Sequence, residues 1–220
     1  MNLLGWRDTA FNFQLFMPLY EMDLRKYIQR APILLRSGKT IISQLCSAVA
    51  YLHENQFMHR DIKPPNILIK CQPLAAVLGD FGCAKAFLPG QPMTPKMCTL
   101  WYRSPEILAN QEAYDLSSDV WSLGVTFVEI ELGQAPFQHS SEMGMLRHIV
   151  RTCGGSLANG ETMTKQNAGA HPWGRRYGPR FEELIDAMLV VEPARRKSAE
   201  SCMRCSFIAV ALAGAVQQGP

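Results

Sequence analysis

The stretch SSDVWSLGVTFVEIELG, residues 117 to 133, constrains the fold more than any other in this chain. Its apolar residues cover most faces of a helix rather than a single stripe. A helix of that kind has to be enclosed by other elements. Ser117 or Ser118 is expected to cap its start, and Gly133 to end it.

Other helices are legible by their spacing. In GKTIISQLCSAVAYLHENQF, Ile41, Leu45, Ala48, Val49 and Leu52 recur at helical intervals, so one stripe faces a core. Leu24 to Leu35 reads as a short helix. SEMGMLRHIVRTCGG reads as another, ended by two glycines, and RFEELIDAMLVVEP as one stopped by Pro193. A last helix is expected from Ala199. Strands are few. Residues 11 to 17, FNFQLFM, alternate and then run apolar, and NILIK and AAVLGD are brief strands around CQPL. Residues 82 to 105 hold Pro89, Gly90, Pro92, Pro95 and Pro105 and read as a long loop, a feature that is usually functional. Residues 154 to 180 also read as loop. The expected class is α+β and mainly helical.

Hydrophobic residues make up 47% of the 220, enough to bury a sizeable core, and the formal net charge is only +3. That balance does not favour a nucleic-acid binder, which carries a basic stripe. The longest apolar run, FIAVALAGAV, is too short to span a bilayer, so no membrane partner is expected. The N-terminus lacks the features of a signal peptide. Seven scattered cysteines suit a reducing, intracellular setting, cytoplasm or nucleus, better than a disulfide framework. Cys202-Met-Arg-Cys205 is a lone C-x-x-C without a second pair for zinc.

The chemistry concentrates in HRDIKPPN, residues 59 to 66. Asp61, Lys63 and Asn66 lie within six positions. A carboxylate can take a proton from a hydroxyl. A lysine can neutralise charge on a transferring phosphoryl group, and an amide oxygen is a hard ligand for Mg²⁺. Phosphoryl transfer uses all three, because its catalysis is mostly positioning and electrostatics.

On these residues the chain resembles the protein kinase family. HRDIKPPN matches the catalytic loop H-R-D-L-x-x-x-N except for Ile at the Leu place. DFG, Asp80 to Gly82, follows a short strand, and SPE, Ser104 to Glu106, stands for A-P-E with Ser in place of Ala. The resemblance runs from about Phe11 to about Phe207. It implies a kinase large lobe over residues 23–208, a small-lobe remnant and hinge over 1–22, and a tail over 209–220. It implies ATP and Mg²⁺ as cofactors, with Asp61 as catalytic base and Asn66 and Asp80 as the Mg²⁺ ligands. Lys63 would contact the γ-phosphate and argues for serine or threonine as acceptor. Thr99 would support Lys63 and Asp61. Asp119 would hold the catalytic loop's backbone, and Glu106 would pair with Arg196. The adenine site would take Met17 at the gatekeeper place, the backbone of Pro18 and Tyr20, Leu68 as its floor, and Asp23 toward the ribose.

CTLWYRSPEIL and EMDLRKYI look like the cyclin-dependent group. That likeness implies protein substrates with Ser or Thr followed by Pro, a cyclin-like activator, and Thr94 as an activating phosphosite. A phosphate there would pair with Arg60, with Lys85 as a second contact. The 220 residues contain no G-x-G-x-x-G loop and no V-A-I-K lysine. The chain is therefore expected to begin inside the small lobe's last strands, and by itself to bind ATP weakly and transfer little phosphate. The alternatives are a lobe-only binding module and a pseudokinase.

Overall fold

The computed structural model describes residues 3–90, 99–111, 114–156, 162–163 and 173–209. Its elements in chain order are β1 Gly5–Asp8, β2 Phe13–Phe16, β3 Met22–Asp23, α1 Leu24–Arg30, α2 Leu35–Glu54, β4 Phe57–Met58, β5 Ile67–Cys71, β6 Leu74–Leu78, β7 Lys85–Ala86, α3 Pro105–Leu108, α4 Ser117–Leu132, α5 Glu142–Cys153, β8 Gly155–Ser156, β9 Thr162–Met163, α6 Pro179–Met188 and α7 Ala199–Met203. Single 3₁₀ turns occupy Pro64–Asn66, Phe81–Cys83, Leu100–Tyr102 and Pro193–Arg195.

Helix α4 is the centre. Val120, Trp121, Leu123, Val125, Phe127, Val128 and Ile130 are all buried, with α2 and α6 packed against it. Gly133 ends it in the left-handed region, φ 82°, as a C-terminal glycine should. The start differs from expectation. Neither Ser117 nor Ser118 caps it; Leu116 holds the cap position and Asp115 Oδ1 accepts from the Ser117 N–H at 2.8 Å. An aspartate two residues upstream does the capping that the serines were expected to do.

Other boundaries moved for identifiable reasons. The helix expected over Leu24 to Leu35 stops at Arg30, because Pro32 cannot continue it, and α2 begins afresh at Leu35. Helix α6 ends at Met188, ahead of Pro193. The next carbonyls are taken by a buried side chain: Arg196 Nε donates to Val190 O at 3.1 Å. The long loop contains β7 and the Leu100–Tyr102 turn, α3 begins at its last residue, and its residues 91–98, including Thr94, lie outside the described residues.

The sheets are small. Strands β3, β5 and β6 form an antiparallel trio, with Ile67 opposite Leu78 and Asp23 opposite Leu68. β1 and β2 form a hairpin with Trp6 stacked on Phe13, centroids 5.3 Å apart. This hairpin shows its apolar side chains to water: Trp6, Phe13, Leu15 and Phe16 are all more than half exposed. Beneath it an apolar groove of about 630 Å³ is lined by Leu15, Met17, Ala48, Leu52, Leu78 and Phe81. That explains why Ala48 and Leu52 are only half-buried while Ile41, Leu45 and Val49 on the same stripe of α2 are enclosed. Among the described residues no helix is long and apolar enough to cross a membrane. Cys202 is buried in the core against α2, and burial pushes its thiol up to about 12.

Candidate active site

The site is set by a hairpin. Pairing Ile67 with Leu78 across β5 and β6 brings Asn66, just before β5, opposite Gly79, just after β6, and Gly79 N–H donates to Asn66 O at 2.8 Å. The hairpin therefore delivers Asn66 and Asp80 to the same edge from opposite directions. Pro64 and Pro65 begin the 3₁₀ turn Pro64–Asn66, whose first turn leaves N–H groups unused in any case. The two prolines thus cost the turn no hydrogen bond and fix its backbone ahead of Asn66.

Asp119, from the start of α4, holds the other end. Its Oδ2 accepts from the His59 N–H and its Oδ1 from the Arg60 N–H, both at 2.8 Å, with His53 Nε2 3.0 Å from Oδ2. Arg60 sits in the left-handed region, φ 64°, which a non-glycine residue adopts only when its surroundings enforce it. The two bonds from a buried carboxylate supply that enforcement. Arg60 Nε donates to Cys83 O at 2.6 Å, and His59 Nε2 lies 2.9 Å from Gly79 O. His59 also meets the Phe81 ring edge-on at 5.0 Å. The loop before Asn66 and the turn after Asp80 are thereby tied together.

Four of the expected residues meet directly. Lys63 Nζ lies 2.8 Å from Asp61 Oδ2 and donates to Thr99 Oγ1 at 2.9 Å. Asn66 Nδ2 donates to both Asp61 O and Asp61 Oδ2 at 2.8 Å. Asp61 Oδ2 is thus doubly occupied, while Asp61 Oδ1 is buried with no hydrogen-bond partner among the described residues. A buried carboxylate oxygen left bare is costly unless something meets it. With its amide nitrogen spent on Asp61, Asn66 presents its oxygen elsewhere. Asp80 is exposed at φ 55°, its Oδ1 accepting a 3.3 Å bond from Gly82 N–H. An amide oxygen and an exposed carboxylate at one edge are oxygen donors of the kind Mg²⁺ takes.

The expected adenine-site residues run from the end of β2 through β3 to β5, where Leu68 stands opposite Asp23. Leu68 packs against Gly79 and is half-buried, beside the site. Met17 is 44% exposed and lines the apolar groove with Phe81. Pro18 and Tyr20 are half-buried in the connection to β3, where Glu21 N–H donates to Ile69 O at 3.1 Å. Asp23, expected toward a ribose, caps α1: its Oδ1 accepts from Lys26 N–H at 2.9 Å.

Glu106 and Arg196 meet as expected, in a two-pronged pair at 2.9 and 3.0 Å with both side chains buried. Ser104, two residues before Glu106, is fully buried and its hydroxyl has no partner among the described residues. Removing a buried hydroxyl that bonds nothing removes a desolvation penalty. Ser104→Ala is therefore expected to raise stability by about 1 kcal/mol, read as a higher urea midpoint at unchanged slope. A loss of stability would show that the hydroxyl is bonded.

Sequence reasoning missed one network. Tyr102 OH donates to Glu129 Oε2 at 2.7 Å and accepts from Arg25 Nη2 at 2.6 Å, joining α1, the Leu100–Tyr102 turn and α4. Burial raises the pKa of both Glu129 and Tyr102, and for Tyr102 the neighbouring carboxylate adds to it. The signal was present: glutamates at 129 and 131 inside an enclosed helix need partners. Glu131 finds its own in the backbone N–H groups of Gly174, Arg176 and Tyr177.

Comparison with known proteins fits this geometry. The family described as Protein kinase domain matches residues 1–208. The sequence is 33% identical over 212 residues to the Encephalitozoon cuniculi (strain GB-M1) protein named "Probable CTD kinase subunit alpha homolog", covering 91% of this chain and 64% of that one. It is 33% identical over 202 residues to "Cyclin-dependent kinase B2-1" of Arabidopsis thaliana, covering 83% and 64%. The chain thus spans just under two thirds of the length of these relatives. It belongs to the protein kinase family, and its likeness within that family is to cyclin-dependent-type kinases.

Proposed function

We propose that this chain carries the catalytic loop of an ATP-dependent protein serine/threonine kinase of the cyclin-dependent type. The observation that carries the reading is the bare, buried Asp61 Oδ1 beside a fully engaged Oδ2. A substrate hydroxyl placed against Oδ1 would have an acceptor for its proton, while Lys63 and Asn66 keep the carboxylate from turning away. Lys63, steadied by Thr99, would supply one cation beside the reacting phosphate. Asn66 and Asp80 would hold Mg²⁺, which neutralises phosphate charge when bound.

The finer reading extends to proline-directed substrates, a cyclin-like activator, an intracellular setting, and activation by phosphorylation of Thr94. Arg60 Nη1 is buried without a partner among the described residues, which suits a cation awaiting an anion. Lys85 stands opposite Met58, one residue from His59. A non-catalytic binding module is the second reading. It is favoured by the lack, within these 220 residues, of a G-x-G-x-x-G loop, so phosphoryl transfer by the chain on its own is proposed to be weak.

Phosphate incorporation from ATP into matched Ser-Pro and Ser-Ala peptides tests the specificity. A preference for Ser-Pro of about tenfold or more in kcat/KM is expected. Equal rates sink the proline reading, and no transfer from ATP to either peptide favours the binding module.

A further inference from the structure

An open hollow lies on α5, apart from the catalytic loop. His139, Arg147, His148 and Arg151 line a cleft of about 540 Å³ together with Ser141, Met143 and Gly144. Among the described residues no carboxylate lines it. Arg147 and Arg151 are exposed, one helical turn apart, and form no ion pair among the described residues. The acid of the helix's first turn, Glu142, is committed to Arg103 at 2.8 Å.

The two imidazoles are fixed in place. His139 Nδ1 accepts from Ser141 N–H at 3.2 Å and lies 3.3 Å from the Ser141 hydroxyl. With Nδ1 serving as acceptor, Nε2 carries the hydrogen and is a donor. The His139 ring lies so close to Gly144 that any Cβ there would collide with it. A glycine in the first turn of a helix, where alanine is better by about 1 kcal/mol, is explained by that ring. His148 is braced edge-on by Phe137, centroids 5.7 Å apart. Its pKa is lowered, first by partial desolvation and then by its neighbours His139 and Arg151.

We infer that this cleft binds a phosphorylated side chain of a protein partner. Two guanidinium groups and two imidazoles, with no acid among them, complement an anion of nearly two charges and several acceptor oxygens. The hollow falls in the volume range of ligand sites, larger than a lone phosphate needs. Met143, 57% exposed at its edge, offers apolar surface to residues flanking the phosphate. The place suits a docking segment. α5 packs against the Leu100–Tyr102 turn, whose preceding residue Thr99 is bonded to Lys63. This inference rests on the kinase reading for the meaning of that proximity, though not for the binding itself.

The test is fluorescence anisotropy on the full 220-residue chain. The probes are a labelled phosphoserine peptide and its unphosphorylated twin, with inorganic phosphate and a single-stranded oligonucleotide as competitors. The phosphopeptide is expected to bind about tenfold tighter than its twin or more. The double variant Arg147→Gln/Arg151→Gln should abolish that difference while its urea midpoint stays that of the wild type. Gly144→Ala, which displaces the His139 ring, should weaken the phosphopeptide selectively. Equal affinity for the two peptides, or unchanged affinity in the double variant, overturns the inference. Displacement by inorganic phosphate at matched concentration reduces the site to a free-anion site, and equal displacement by the oligonucleotide to a general polyanion patch; either overturns it too. Because the readout is binding, its failure leaves the kinase reading intact, and a chain without kinase activity can still pass.

Discussion

Arg196→Met is expected to destabilise the protein by about 3–5 kcal/mol, the cost of leaving a buried charge without its partner. The side chain is fully enclosed, and its partner Glu106 nearly so. Glu106 would keep a charge with nothing to answer it. Arg196 also donates to Val190 O and Ser117 O, and its guanidinium lies over the Trp121 ring, 5.2 Å from the centroid. One residue thus closes α3, the start of α4 and the segment after α6 onto each other. The double variant Glu106→Leu/Arg196→Met separates the contributions. It removes the stranded charge, so it should recover part of the loss. It should not recover all of it, because the carbonyls at 117 and 190 still lack their donor. Urea unfolding of the three proteins measures this. A single-variant loss below about 1 kcal/mol would mean that the pair behaves as a surface ion pair and is not enclosed.

The same residue shows why helix boundaries were harder to read than helices. The spacing of α2, α4 and α5 located each of them, since periodicity is a property of the segment itself. The end of α6 is not local. Pro193 would permit the helix to run to residue 192, and it stops at Met188 because the residues beyond it present their carbonyls to a guanidinium from the next loop. The cap of α4 fails for a related reason. Ser117 and Ser118 are good capping residues, but Asp115 reaches the Ser117 N–H first, and Ser118 Oγ instead donates back to Asp115 O. Propensity named eligible residues, and the tertiary arrangement chose among them.

The site was more legible than the boundaries. Asp61, Lys63 and Asn66 lie within six residues, and one turn of backbone suffices to bring them together. Thr99 and Asp119 are far away in sequence, and the kinase resemblance, not any local signal, brought them in. What the sequence did not disclose was occupancy. Nothing in a string of letters says that Asn66 spends its amide on one oxygen of Asp61 and leaves the other bare. Nor did periodicity show that Tyr102, Arg25 and Glu129 would meet, because the three come from separate elements. Two glutamates in an enclosed helix were the only hint, and a hint of that kind says that partners exist without saying where.

Asp61→Asn is expected to lower kcat for peptide phosphorylation by about 10²–10⁴-fold, the range for losing a positioned proton acceptor. The substitution is nearly isosteric. The new amide can turn its oxygen toward Asn66 and Lys63, where the carboxylate's Oδ2 now sits. Its nitrogen then faces the position that Oδ1 leaves bare. That position would become a donor, unable to take a proton from a hydroxyl. The fold should barely notice: Lys63 is partly exposed, and weakening its pair costs about 1 kcal/mol or less. The signature is therefore a large fall in kcat with a small change in urea midpoint. It separates a chemical role from a structural one, since removing a mere turn-former would lower stability and leave the surviving folded protein active. Retention of kcat within about threefold would mean that Asp61 is not the base. In that case the bare oxygen would be an unfilled hydrogen-bond site, and the binding-module reading of this lobe would stand in place of the enzyme.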